Sequence, residues 1–178
     1  MSDFTRLVEV EIPGLRRYAR ALTRDVIRAD DLVQSCLERA LARQELWQPG
    51  TDLRAWLFTI LHNQHVNDVR SARREDGHVA AEASQSVSAV DPNALAVLEL
   101  RELDRAIGSL SATQRQVILL VGLEGMRYEE VAKILDIPVG TVRSRLSRGR
   151  QLLRKMMVEG VRTQLRPRYA PGSARRAA

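Results

Sequence analysis

Apolar positions recur at three- and four-residue spacing along most of the chain, and no stretch alternates apolar and polar residues in twos. The pattern predicts an all-α protein. A first helix is expected over Phe4 to Glu11, and Pro13 suits the first turn of a second helix running to about Thr23. Asp30 can cap a third, DLVQSCLERALARQELW, whose Leu32, Cys36, Leu37, Ala40 and Leu41 fall on one stripe. Pro49-Gly50 marks a turn, after which Thr51 or Asp52 can cap a long helix, LRAWLFTILHNQHVNDVRSARR, ending near Arg74.

The helical pattern then stops. Gly77 to Asn93 (GHVAAEASQSVSAVDPN) is small, polar and acidic and contains a proline, the composition of a flexible linker. A second helical unit begins near Leu95, with Leu98, Leu103, Ile107 and Leu110 as its apolar face. Ser111 and Gln114 fit a capping box ahead of VILLVGL, and Gly125 ends that helix. Tyr128 to Leu135 and Val139 to about Val158 are the last two helices. Two small helical domains joined by a flexible linker are therefore expected: residues 1–76, a linker over 77–94, residues 95–160, and a basic, disordered tail over 161–178.

Charge separates the two halves. Residues 1–75 hold 12 basic and 11 acidic groups, residues 76–95 hold none and three, and residues 96–178 hold 16 and eight. A near-neutral front and a basic back suggest different partners, with a polyanion at the back. Cys36 is the single cysteine, so no disulfide framework is possible; a reducing cytoplasm and a buried, inert thiol are the simple expectations. No signal peptide and no apolar run near membrane-spanning length is present.

The candidate chemistry lies where the basic charge is densest. Val139 to Lys155 (VGTVRSRLSRGRQLLRK) carries six basic side chains and no acid, and it follows YEEVAKILDIP, a short helix and tight turn. This is a helix-turn-helix. Asp136 stands where the turn needs a left-handed residue, and Ala132 is small enough for the two helices to approach. Advancing about 100° per residue turns Val142, Leu146, Gly149 and Leu153 inward and Arg143, Ser144, Ser147 and Arg148 outward. Those four are the candidates for base edges in a major groove, and Thr141, Arg145 and Arg150 on the flanks are candidates for phosphate. A solvated amphipathic helix would also expose arginines, but it would not exclude acids from the same face.

The long helix of the first domain is less specific. Leu53, Trp56, Leu57, Ile60 and Leu61 form its apolar arc, while Thr59, His62, Val66, Arg70 and Arg73 are expected on the far side, with Asn63 at the border. A face of amide, imidazole, hydroxyl and guanidinium groups can read unpaired bases, and so can an ordinary solvated face exist. Trp47 and Trp56 are expected in the core. His62 and His65 are three apart, but no further ligand completes a metal set, and neither metal nor cofactor is expected.

Together these stretches resemble the extracytoplasmic-function (ECF) sigma factors of bacterial RNA polymerase. DDLVQSCLERAL resembles the family's core-polymerase-binding helix, TDLRAWLFTILHNQHVNDVRSARR its promoter-melting helix, and LSATQRQVILLVGLEGMRYEEVAKILDIPVGTVRSRLSRGRQLLR its second DNA-binding domain. The resemblance implies docking on the clamp helices of the polymerase largest subunit through Asp31, Gln34 and Arg39. It implies capture of a flipped −10 base by the loop Gln48, Pro49, Gly50, Thr51, Asp52 and Leu53, with Asn63 adding specific contacts; Arg70, on the same helix, is a further candidate. Duplex reading of the −35 element falls to the helix-turn-helix, and an anti-sigma factor is an implied partner. QPGTDLRAWLFTIL resembles the branch that runs the alphaproteobacterial general stress response.

The main alternative is a stand-alone helix-turn-helix regulator. It predicts a ligand or dimerisation domain, and residues 1–75 show no ligand-pocket signature and no heptad seam. A sigma mimic that only titrates an anti-sigma has little need of an acid-free recognition helix. An enzyme is not expected: no catalytic carboxylate pair, Ser/His arrangement or phosphate-binding glycine loop is present.

Overall fold

A computed structural model describes residues 3–75 and 94–164, which form helices and their connections with no strand among them. The first bundle consists of α1 (Asp3–Thr23), α2 (Val26–Ala42) and α3 (Leu53–Glu75), with a short 3-10 turn at Gln44–Leu46. The second consists of α4 (Ala94–Ser109), α5 (Ala112–Ile118), a wide π turn at Leu119–Leu123, α6 (Tyr128–Leu135) and α7 (Val139–Gln164). The expected linker and the tail beyond residue 164 lie outside the described residues. The expected disordered tail began too early, because α7 continues through residues 161–164.

Three local expectations change. The chain does not break before Pro13, and α1 runs through it. An interior proline removes one helix hydrogen bond and costs about 3 kcal/mol, yet Val8, Leu15, Tyr18, Ala19 and Leu22 form one buried stripe on both sides of it. That shared stripe outweighs the local preference. The cap of α2 is Asp25, five residues before Asp30: its Oδ1 accepts from the backbone N–H of Ile27 (2.9 Å) and Arg28 (3.0 Å). The earlier start brings Ala29 and Val33 into the core with Leu32, Cys36 and Ala40, while Leu41 is exposed. In α4, Ala106 is buried, as is Leu110 just beyond its end, while Leu103 is exposed; the side chain of Leu98 is outside the described residues.

Other punctuation is as expected. Asp52 caps α3 by accepting from the Ala55 N–H at 3.0 Å. Ser111 and Gln114 form the capping box of α5. Gly50 (φ 89°) and Gly125 (φ 66°) occupy the left-handed region that a side chain disfavours. Cys36 is buried and its thiol lies 3.4 Å from the Leu57 carbonyl; burial pushes its pKa up to about 12. Trp47 and Trp56 flank Phe4 within the first bundle, with ring centroids 5.5 and 6.3 Å away.

The two bundles are not held apart. Their buried residues form one connected core, α3 packs on α6, and α1 packs on the π turn. Composition showed where the bundles divide but contained no signal that they meet.

Candidate nucleic-acid interface

The helix-turn-helix is built from α6, a three-residue turn and the first half of α7. At the start of α6, the Glu130 carboxylate accepts from the Arg127 backbone N–H (2.8 Å) and from Arg127 Nε (2.7 Å). Burial works to raise the Glu130 pKa, but these hydrogen bonds and the guanidinium charge outweigh it and hold the group below the usual range. At its end, Asp136 adopts φ 50°, ψ 53°, the left-handed conformation expected of it, and Ile137 N–H closes on the Ala132 carbonyl at 3.0 Å. Pro138 then starts α7: its carbonyl accepts from Thr141 N–H (2.8 Å) and Val142 N–H (3.1 Å).

The inward face of α7 is the one expected. Val142 and Leu146 are buried, Gly149 is buried, and Leu153 is half-buried. Arg143, Ser144, Ser147, Arg148 and Arg150 are exposed, and Thr141 and Arg145 are half-exposed. No carboxylate among the described residues pairs with Arg143, Arg145, Arg148 or Arg150. Among the described residues, four guanidinium groups therefore stand on one helix without a carboxylate partner, an arrangement that favours an external polyanion. The Ser144 hydroxyl donates to the Thr141 carbonyl at 3.0 Å, so in this rotamer it offers an incoming group an acceptor.

The first bundle presents a different surface. Gln48, Pro49, Gly50, Thr51 and Asp52 form an exposed loop, braced by the Thr51 hydroxyl donating to the Gln48 carbonyl at 2.7 Å. Leu53 turns half into the core. Asn63 and Arg70 are exposed, and seven residues apart they share a face of α3. Asn63 stands ten residues beyond Leu53, about 15 Å along the helix, so loop and amide are successive positions on a surface rather than one pocket. On α2, Asp31, Gln34 and Arg39 are all exposed, and Gln34 Nε2 donates to Glu38 Oε1 at 3.0 Å.

The expected far face of α3 needs correction. His62 is buried, and Thr59 and Val66 are half-buried. Burial, with the neighbouring His65, lowers the His62 pKa to about 4. His65 is lowered as well, chiefly by burial, with Arg115 of the second bundle adding in the same direction against Asp68. The cause is tertiary: α3 packs against α1 and α2 and, in the second bundle, against α6, and Arg115 of that bundle stands close enough to His65 to act on its charge. Arg73's side chain lies outside the described residues.

The residues that sequence reasoning missed lie on this contact. Glu124, in the turn after α5, has a fully buried side chain. Its Oε1 accepts from Arg17 Nε (2.9 Å), and its Oε2 accepts from Arg17 Nη2 and Arg54 Nη2, both at 2.7 Å. Arg54 also donates to the Glu124 carbonyl at 3.1 Å. Nothing local marks this glutamate, which meets partners 107 and 70 residues away.

Residues 8–62 match the family described as the Sigma2 domain of PhyR, and residues 100–153 match Sigma-70, region 4. The chain is 40% identical over 146 residues to the ECF RNA polymerase sigma factor EcfG of Rhodopseudomonas palustris (strain TIE-1), an alignment covering 82% of this chain and 80% of that one. This chain belongs to the ECF sigma factor family. Among solved structures, this family member is similar to the sigma factor RpoE of Bartonella quintana in complex with the anti-sigma factor NepR: 34% identity, TM-score 0.79, 89% of this chain and 98% of that chain. It is also similar to CnrH in complex with the cytosolic domain of CnrY, at 27% identity and TM-score 0.65 over 88% of each chain.

Proposed function

We propose that this ECF sigma factor binds core RNA polymerase and directs promoter-specific initiation. The exposed, acid-free face of α7 supports this reading best. On it, Arg143, Ser144, Ser147 and Arg148 read base edges of the −35 duplex in the major groove, while Thr141, Arg145 and Arg150 hold phosphates. The loop from Gln48 to Leu53, with Asn63 and Arg70 on α3, engages the −10 strand once a base is flipped out. Base capture offsets an unstacking cost of about a few kcal/mol. Asp31, Gln34 and Arg39 on α2 dock on the clamp helices of the polymerase largest subunit. The mechanism is binding rather than catalysis, and polymerase tethers both readers so that weak affinities combine.

The similarity to RpoE bound by NepR and to CnrH bound by CnrY supports an anti-sigma partner for this chain. The likeness to the alphaproteobacterial stress branch supports a role in a stress response. Among the described residues no helix is long and apolar enough to cross a membrane.

One observation favours a second reading. The match of residues 8–62 to the sigma2 domain of PhyR would also suit a mimic that sequesters an anti-sigma. Run-off transcription separates the two. Purified protein with core polymerase is expected to start transcripts from a specific promoter, and neither component alone should do so. A mimic would yield none, and a stand-alone regulator would bind its site tightly without polymerase.

A further inference from the structure

The corner between α4 and α5 is held by one side chain. Arg115 of α5 donates through Nε to the Ile107 carbonyl at 3.1 Å, and through Nη2 to the carbonyls of Gly108 (2.5 Å) and Leu110 (3.2 Å). Ile107 and Gly108 lie in the last turn of α4, where carbonyls have no partner within the helix. The guanidinium is half-buried and makes no salt bridge among the described residues; nearby Asp104 is engaged by Arg24 instead. Three acceptors around one turn need several N–H groups fixed in one plane, and arginine is the side chain that supplies them.

That corner is the seat of the recognition helix, because α7 packs on both α5 and α4. On the α5 side, a Cβ at Gly149 would stand 3.7 Å from the Cβ of Gln114, the residue before Arg115. On the α4 side, the Ser109 hydroxyl donates to the Ala106 carbonyl at 2.7 Å and lies 3.0 Å from Met156 Sδ. The two seats are two turns apart on α7, about 10 Å. A rod held at one point pivots; held at two, it has one direction. Ser109 sits between Gly108 and Leu110, whose carbonyls share Arg115 Nη2. Freeing the corner therefore frees the second seat and leaves Gly149 as a pivot.

The pivot matters for bases more than for phosphates. A tilt of about 10° at Gly149 would move the backbone of Arg143, about 9 Å along the helix, by about 1.5 Å. A bidentate pair between arginine and a base edge does not survive that displacement. A flexible side chain on a phosphate does, because the backbone carries no sequence to misread.

We propose that Arg115 is a positioning residue for sequence reading: by clamping the corner of α4 and α5 it sets the direction of α7, and so the register of Arg143, Ser144, Ser147 and Arg148 against base edges, without touching DNA itself. The clamp stands on the geometry; its consequence for DNA rests on the reading of α7 as the −35 helix.

Arg115→Gln and Arg115→Lys in the full chain test this. The probes are a duplex selected from random sequence by the wild type and a scrambled duplex of the same composition, both read by fluorescence anisotropy over a range of salt. Arg115→Gln should weaken binding to the selected duplex about tenfold and to the scrambled one by less than about twofold, with an unchanged salt slope because no phosphate contact is lost. Arg115→Lys keeps the charge and a reach to one carbonyl, and should recover part of the discrimination. Leu120→Val, in the buried core of the same bundle, controls for stability: its thermal melt should fall while its ratio of the two affinities matches the wild type. With isotope-labelled methionine methyl groups, the Met156 signal, assigned by Met156→Leu, should shift in Arg115→Gln and stay in place in Leu120→Val. An Arg115→Gln chain of native helix content that keeps the wild-type ratio, or that weakens equally on both duplexes, overturns the positioning role. So does a Leu120→Val chain that loses the ratio to the same extent. A salt slope lower by about one makes Arg115 a phosphate contact and overturns it too. The same comparison on Arg115→Lys decides the matter if the glutamine variant fails to fold. A wild type that selects no sequence defeats the −35 reading, while the Met156 signal still reports whether Arg115 holds the corner.

Discussion

Gly149 of α7 lies directly against Ile118 of α5: a Cβ at position 149 would stand 3.0 Å from Ile118 Cγ1 and 3.2 Å from its Cδ1. The recognition helix therefore crosses its support at a point where a side chain has no room. The angle at which Arg143 and Arg148 face outward depends on that crossing.

Gly149→Leu should overpack this crossing and destabilise the second bundle by about 1–3 kcal/mol. Urea denaturation should show a lower midpoint. Affinity for a −35 duplex should fall although every DNA-facing side chain is retained; an unchanged midpoint would mean that the helices are farther apart than described.

Arg148→Ala should weaken binding to the cognate −35 sequence by about 1–3 kcal/mol if the guanidinium grips a base in bidentate fashion. Fluorescence anisotropy on cognate and scrambled duplexes, at one salt concentration, makes the measurement. Equal weakening on both would assign Arg148 to phosphate instead.

Asn63→Ala should leave polymerase binding intact and impair promoter opening, because Asn63 is exposed on α3 while Asp31, Gln34 and Arg39 project from α2. Gel filtration with core polymerase reports the first property and permanganate reactivity of the −10 region the second. Loss of polymerase binding would contradict the division of roles.

Stability should fall on mild acidification. His62 has a pKa near 4 in the folded protein against about 6.5 when exposed. Between those values the unfolded chain binds a proton that the folded chain excludes, so the stability is fully present above about pH 6.5 and is lost progressively towards pH 4. His65 is lowered too and acts in the same direction. Thermal melts at pH 7.5 and 5.5 should differ by less in His62→Phe than in the wild type.

Much of the candidate interface was legible in the linear pattern because it depends on local geometry. The inward set Val142, Leu146 and Gly149 and the outward set Arg143, Ser144, Ser147 and Arg148 follow from helical periodicity, and the left-handed Asp136 follows from turn chemistry. The Ser111–Gln114 box and the Asp52 cap are likewise short-range. Failures came where a distant contact outweighed a local preference. Pro13 reads as a helix start, yet the stripe from Val8 to Leu22 carries the helix through it. His62 reads as solvent-facing, yet it is buried in a bundle whose α3 packs against both α1 and α2 and against α6 of the other bundle.

The sequence by itself determined an all-helical chain in two units, a basic helix-turn-helix and the family resemblance, since each depends on residues within a few turns of one another. Only the tertiary structure decided that the units close on each other, that His62 is dry and that Glu124 meets Arg17 and Arg54. Those facts depend on which surfaces exclude water together, and the spacing of residues along a chain does not encode which distant partner will remove a charge from solvent.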